Sequence, residues 1–233
     1  WQMLEARPQP TMFGAYFRFP RWQGEPLTGQ SLLICPEAGM GDMLQLCRYA
    51  SCLRQLGAAR ISLLCHAPLK TLLLDLPEID EVFAIGESVP DDGWNYWAPI
   101  LSLPGLCGTT LETIPAQLPY LWAQPHAVAA WRARLPAAPL RVGLAWRGNA
   151  QFENDDARSL ATLDVLAPLG AVDGVQFVSL QKGAGENDTS ASLALVAGGA
   201  ALGDMADTAA LVANLDLVIS VDTAVAHLAG ALG

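Results

Sequence analysis

The stretch "SLLICPEAGMGDMLQLCRYASCLRQLG", residues 31–57, runs through three patterns in turn. "SLLIC" is an apolar run of strand length, and "PEAGMGD" is a turn containing two glycines. "MLQLCRYASCLRQLG" then spaces apolar residues at helical intervals and ends in Gly57, a residue type that commonly closes helices. Strand, glycine turn and helix open an α/β unit, and the chain goes on in the same manner. "RISLLC" (60–65) and "EVFAI" (81–85) predict strands around the helical "APLKTLLLDL", and "YWAPILSL" is a further extended candidate. Strands that alternate with helices predict a parallel sheet covered on both faces.

The pattern breaks at "AVAAWRARLPAAP" (127–139), a short helix followed by prolines and alanines, and then restarts. "LRVGLAW" predicts a strand, "RGNAQFENDDARS" a polar loop, "LATLDVLAPLG" a helix and "VQFVSL" a strand. The loop "QKGAGENDTSAS", the helix "MADTAALVAN", the strand "LDLVIS" and a closing helix complete the chain. The expected division is therefore a lead-in over 1–30, a first domain over 31–126, a linker over 127–139 and a second domain over 140–233. The lead-in is rich in Pro, Gly, Arg and aromatics without period, and it reads as an ordered segment rather than a domain. Two such units are expected to face each other across a cleft, with ligands at the carboxyl ends of the strands.

Composition narrows the function. With 233 residues and 52% hydrophobic content the chain has enough apolar side chains for a packed core. Its 23 acidic residues outnumber 13 Lys and Arg, which speaks against broad binding to nucleic acid. No apolar run reaches the ~18 residues of a membrane span. The five cysteines include no C-x-x-C pair and read as reduced, buried thiols in the cytoplasm rather than as a disulfide framework or zinc site. The start lacks both an initiator methionine and a signal-peptide pattern, so the chain is expected to begin inside a longer protein.

The chemistry gathers in the loops. Gly39 and Gly41 permit a tight backbone before a helix, and Asp42 at that helix start is either a cap or a functional carboxylate. G-x-G-x-x-G fails there, because Leu44 stands where the third glycine belongs. At the chain's end, Asp222 and Thr223 follow a strand, and Thr223 can cap a helix that carries His227 on the same face. Such an N-terminus can receive a diphosphate, or it can be a capped core helix. Arg147 and Asn149 follow one strand, Arg158 and Ser159 open the next helix, and Gln181 and Lys182 follow another strand. Lys182 is one of two lysines in the chain. Glu186 could accept from a ribose hydroxyl or simply face solvent. His66 and His126 are expected outside these corners. No two Asp residues are spaced i, i+2, and there is neither a G-x-S-x-G elbow nor a G-K-[ST] loop, so the usual metal-binding carboxylate pair, serine hydrolase and P-loop readings lose their footing.

Together, "EAGMGDMLQLCRYA", "VGLAWRGN", "NDDARSL", "FVSLQKG" and "DMADTAALVANLDLVISVDTAVAHLAGALG", in that order, resemble the ADP-heptose:lipopolysaccharide heptosyltransferase superfamily. More closely, they are similar to the glycosyltransferase-like domain that follows tetratricopeptide repeats in many bacterial proteins. The likeness runs from about Trp22 to Gly233. It implies a GT-B fold of two Rossmann-like α/β domains facing a cleft, the C-terminal one holding a nucleotide-sugar donor and the N-terminal one meeting a protein or glycan acceptor. It implies inverting transfer without a metal and without a cofactor beyond the nucleoside diphosphate sugar. Asp42 takes the place of the general base in the "GD" loop. Asp222, Thr223 and the backbone of Ala224 match the corner that contacts sugar and diphosphate, with His227 nearby, and Gln181 and Lys182 match the loop beside the nucleotide.

This chain departs from the family at Phe152 and Glu153, where a histidine and a basic residue are common, and this shifts phosphate contact to Arg147, Arg158 and Lys182. Family members also continue past "LAGALG" with another strand and helices. The second domain is accordingly expected to be incomplete, with an exposed apolar edge that favours self-association. Two rival readings keep the fold: a nucleotide-binding module without transfer, and an interaction domain with an empty cleft.

Overall fold

The computed structural model describes residues 2–7, 16–152 and 154–233, so Glu153 and part of the lead-in lie outside the described residues. The chain divides into two compact units, Trp1–Leu121 and Trp122–Gly233.

In the first unit, β1 (Ser31–Cys35), β2 (Arg60–Cys65), β3 (Glu81–Ala84) and β4 (Tyr96–Pro99) form a parallel sheet in the order β3-β2-β1-β4. Central β1 pairs Leu33 with Ser62 on one side and with Trp97 on the other. It is apolar from Leu32 to Cys35 because both its faces are covered, and Leu32, Leu33 and Ile34 are each fully buried, worth roughly 1.5–3 kcal/mol apiece. The helix expected after it is divided into α1 (Met40–Leu46) and α2 (Tyr49–Gln55). Side chains cause the break: Arg48 Nε donates to the Gln45 carbonyl at 2.8 Å, and Ser51 Oγ donates to the Arg48 carbonyl at 2.8 Å. The lead-in is threaded into this unit. Phe17 and Phe19 stack at 4.9 Å within the cluster that holds Leu33, Trp94 and Trp97, and residues 20–22 run along β4, with Trp22 N donating to Trp97 O at 2.8 Å and Trp97 N to Pro20 O at 3.1 Å. A helical turn at Gln2–Glu5, which no periodicity announces, lies within the same unit.

The second unit holds α3 (Pro125–Arg132), β5 (Leu140–Ala145), a helical turn α4 (Asp155–Arg158), β6 (Val175–Ser179), β7 (Leu195–Val196), α5 (Met205–Val212), β8 (Leu217–Ser220) and α6 (Ala224–Leu232). Its parallel sheet runs β7-β6-β5-β8, the same order as the first. Helix α3, in the stretch expected as a linker, belongs to this unit: Asn214 donates to Val128 O at 3.0 Å and accepts from Arg132 Nε at 3.1 Å. The expected helix over 160–170 is instead a 3-10 helix, Leu163–Ala171. Pro168 inside it lacks an N–H, and a Cβ on Gly170 would lie 1.9 Å from Ser192 O, so the segment tightens against its neighbour. Strand β7 is short and has no clear signature. Strand β8 lies at the sheet edge, with Leu217 and Ile219 exposed.

No helix of the described residues is long and apolar enough to cross a membrane. The five cysteines are free thiols, with Cys35, Cys47 and Cys65 buried.

Candidate functional site

In each sheet the chain reverses direction of travel next to the central strand: between β1 and β4, and between β5 and β8. At such points the loops leave to opposite sides and open a crevice at the carboxyl ends. The second unit's crevice collects most of the residues expected to bind.

Its floor is Gln181, directly past β6 and 2% exposed. Gln181 Oε1 accepts from Trp146 N at 3.0 Å and Arg147 N at 2.9 Å, while Nε2 donates to Arg147 O at 3.1 Å and Ala184 O at 2.8 Å. One side chain thus fixes the loop after β5 to the loop after β6 and has no capacity left for a ligand. Asp188 completes this joint: its Oδ2 accepts from Trp146 Nε1 at 3.1 Å and faces Arg147 Nε at 3.7 Å. A buried indole N–H needs a partner, so Trp146 at a strand end was the available signal for Asp188.

The loop after β5 folds back on itself. Gly148 N donates to Ser159 Oγ at 2.8 Å, and Ser159 Oγ donates to Asp155 Oδ1 at 2.8 Å. A Cβ on Gly148 would sit 2.7 Å from Asp155 Oδ1 and 3.1 Å from Arg158 Nε, so a larger residue here would push both side chains aside. Arg158 ends the helical turn α4 rather than opening a helix, and Ser159 follows it in extended conformation. The Arg158 guanidinium lies 4.3 Å from the Phe152 ring centroid, 3.5 Å from Asp155 and 4.0 Å from Asp222. Asn149 Oδ1 accepts from Gln151 N at 3.0 Å in an exposed turn. Arg147 Nη2 donates to Ala161 O at 2.7 Å. A depression of about 230 Å³ between these loops is lined by Arg147, Asp155, Asp156, Ser159 and neighbouring apolar atoms. Lys182 is exposed, and Glu186 Oε2 folds back on its own exposed loop to accept from Gly183 N at 2.9 Å.

Opposite stands the corner after β8. Thr223 is the N-cap of α6, its Oγ1 accepting from Val225 N at 3.3 Å, and Ala224 is the first helical residue. The Asp222 side chain is 73% exposed, with Oδ1 3.9 Å from His227 Nε2. Arg158, Asp222, Thr223 and His227 therefore converge around one helix N-terminus.

Asp42 and Gly41 belong to the first unit. Helix α1 begins at Met40, so Gly41 is helical, and neither Gly39 nor Gly41 adopts a positive φ. Asp42 Oδ2 accepts from Gly39 N at 3.0 Å, the backward reach of a helix-start carboxylate, and the residue remains half exposed. His66 does not lie outside this corner as expected: its Nε2 is 2.9 Å from Ala38 O. Parallel pairing brings the ends of β1 and β2 side by side, so the residue after β2 meets the loop after β1. Also missed was Glu37, whose side chain is 3% exposed and paired with Arg7.

No family model matches the chain. A curated relative, Protein FlbA of Caulobacter vibrioides, is 28% identical over 263 aligned positions that take in this whole chain, which spans 44% of the relative's length. Among solved structures, a glycosyl transferase family 9 protein from Veillonella parvula superposes with a TM-score of 0.61 at 13% identity, covering 89% of this chain and 79% of that one. ADP-heptose lps heptosyltransferase II of E. coli superposes with a TM-score of 0.61 at 16% identity, covering 87% and 82%. The fold is GT-B-like. The iron-containing dodecameric glycosyltransferase TibC of enterotoxigenic E. coli shares it at a TM-score of 0.58 and 16% identity, with 88% of this chain and 57% of that one covered. TibC has also been solved in complex with ADP-D-beta-D-heptose.

Proposed function

We propose that the chain is a glycosyltransferase domain that moves a sugar from a nucleoside diphosphate donor to a protein or cell-surface glycan acceptor, inverting the transferred carbon and using no metal or cofactor. The supporting observation is the corner at α6, where Arg158, Asp222 and His227 stand within 4.0 Å of their neighbours at a helix N-terminus capped by Thr223. In this reading the diphosphate is received by the first amides of α6, beginning at Ala224, and by Arg158, with Arg147 and exposed Lys182 adding positive charge. Asp222 accepts from sugar hydroxyls. Gln181 acts through the loops it joins and not by contact. Asp42 takes the acceptor hydroxyl's proton as the oxygen attacks the anomeric carbon, and the nucleoside diphosphate leaves with the bonding electron pair. A cytoplasmic setting, a tetratricopeptide-repeat context and pairing of two copies along the apolar β8 edge belong to the same reading.

Calorimetric titration with ADP, UDP, GDP and their sugar conjugates tests it. Saturable binding of one nucleotide that is lost in Thr223→Ala and Asp222→Ala is expected, together with turnover lost in Asp42→Asn. Absence of binding by every nucleotide refutes the donor site. A second reading, a nucleotide-binding module without transfer, is favoured by one observation: carboxylates already face both arginines, Asp188 at 3.7 Å from Arg147 and Asp155 at 3.5 Å from Arg158. Nucleotide binding with no turnover of any sugar conjugate would select it.

A further inference from the structure

The first unit's crevice, between the ends of β1 and β4, is filled. Glu37 follows β1 with its carboxylate 3% exposed, and Ser102, beyond β4, is fully buried. Arg7 lies across them in a two-pronged pair: Nε donates to Glu37 Oε1 at 2.8 Å, and Nη2 donates to Glu37 Oε2 and, at 3.1 Å, to Ser102 Oγ. Arg21 Nη2 donates to the same Ser102 oxygen at 3.0 Å and to Glu5 Oε2 at 2.6 Å. The acceptors are built to the shape of a guanidinium: a planar fork on a carboxylate, with a hydroxyl beside it. Arg7 comes from a turn whose Met3 is 92% exposed and which is tied to the crevice by the polar contacts of Arg7 and Glu5. If the Arg7 side chain swings out while Glu5 stays seated on Arg21, Glu37 is left buried without its cation, a costly state that recruits another.

We infer that this crevice is a guanidinium-binding site occupied in cis by Arg7, and that its external ligand is an arginine side chain of a protein acceptor, which displaces Arg7. The inference rests on the reading of the first unit as the acceptor side and narrows the acceptor class. Glu37 lies in the loop that leads from β1 into helix α1, whose first turn carries Asp42, and His66 holds that loop at the Ala38 carbonyl, so an arginine seated on Glu37 lies on the loop that leads to the base.

The test uses the full chain and three probes: N-acetyl-arginine amide, its lysine analogue and its citrulline analogue. Binding is followed calorimetrically and by hydrogen exchange over residues 2–7 and 36–42. Wild type is expected to bind the arginine probe saturably, with exchange over 2–7 rising at saturation. Arg7→Ala is expected to bind at least tenfold more tightly, because the internal competitor is gone. Glu37→Gln should lose binding, Ser102→Ala should weaken it with the carboxylate intact, and citrulline should fail. If wild type shows no saturable binding at a hundred times the concentration that saturates Arg7→Ala, or if folded Arg7→Ala does not bind, the inference is overturned and Arg7 is a fixed brace. Nucleotide titration of the same preparations reports separately on the donor-site reading.

Discussion

The two sheets have the same strand order, yet the first is closed where the second is open. Beside β4 the lead-in covers the edge strand through Trp22 and Pro20, and at the crevice Arg7 is seated on buried Glu37. Beside β8 the apolar Leu217 and Ile219 are exposed, and the crevice holds arginines whose nearest carboxylates stand at 3.5 to 4.0 Å, beyond good hydrogen-bond distance. Topology thus decides where a ligand could sit, and side-chain chemistry decides whether the place is taken. A guanidinium held at both prongs by a buried carboxylate gives way only to another guanidinium, whereas one facing carboxylates at a distance can still turn to an incoming anion.

Five changes would break or sharpen this contrast. Gln181→Leu should have the largest effect: two loop amides lose their acceptor, and denaturant unfolding should show a loss of about 3 kcal/mol together with loss of nucleotide binding. Arg158→Ala should weaken nucleotide binding about tenfold, close to 1.4 kcal/mol, while Arg7→Ala leaves that affinity unchanged; an equal loss in both would erase the distinction between the crevices.

Acidification should loosen the first crevice before the second. Burial raises the Glu5 carboxyl, but hydrogen bonds from Ser102, Arg21 and Arg7 outweigh it and hold the group below its ordinary 4.5. A lowered value in the folded chain means that the stabilisation is complete above 4.5 and is lost as pH falls through the folded value. Exchange protection over residues 2–7, corrected for intrinsic rates, should therefore drop severalfold below about pH 4.5, with β5 and β8 unchanged. Phe152→Ala should have the smallest effect, about threefold weaker nucleotide binding from a guanidinium no longer held against a ring.

The core strands of both sheets were legible because each is an apolar run bounded by turn residues, and the Asp-Thr corner was legible because a hydroxyl before an alanine- and leucine-rich segment announces a cap. Other features depend on partners far along the chain. Nothing around Gln181 signals that its amide will meet two amides some 35 residues earlier. The break between α1 and α2 arises from Arg48 reaching Pro115 and Tyr120 as well as its own helix. His66 reaches the "GMGD" corner only because two parallel strands end side by side, and Pro168 was visible while the close approach of Gly170 to Ser192 was not. The lead-in lacked period because it is neither strand nor helix over most of its described length, yet Phe17, Phe19 and Trp22 are core.

The sulfur chemistry makes the chain convenient for a reporter. All five thiols have raised pKa values, chiefly through burial, with Cys47, Cys65 and Cys107 pushed up to about 12. At neutral pH almost none of each is thiolate, the form that reacts with maleimides. A cysteine introduced at Met3, 92% exposed, would then carry a dye largely by itself in the native background, and its fluorescence would follow the lead-in turn without removal of a single native cysteine.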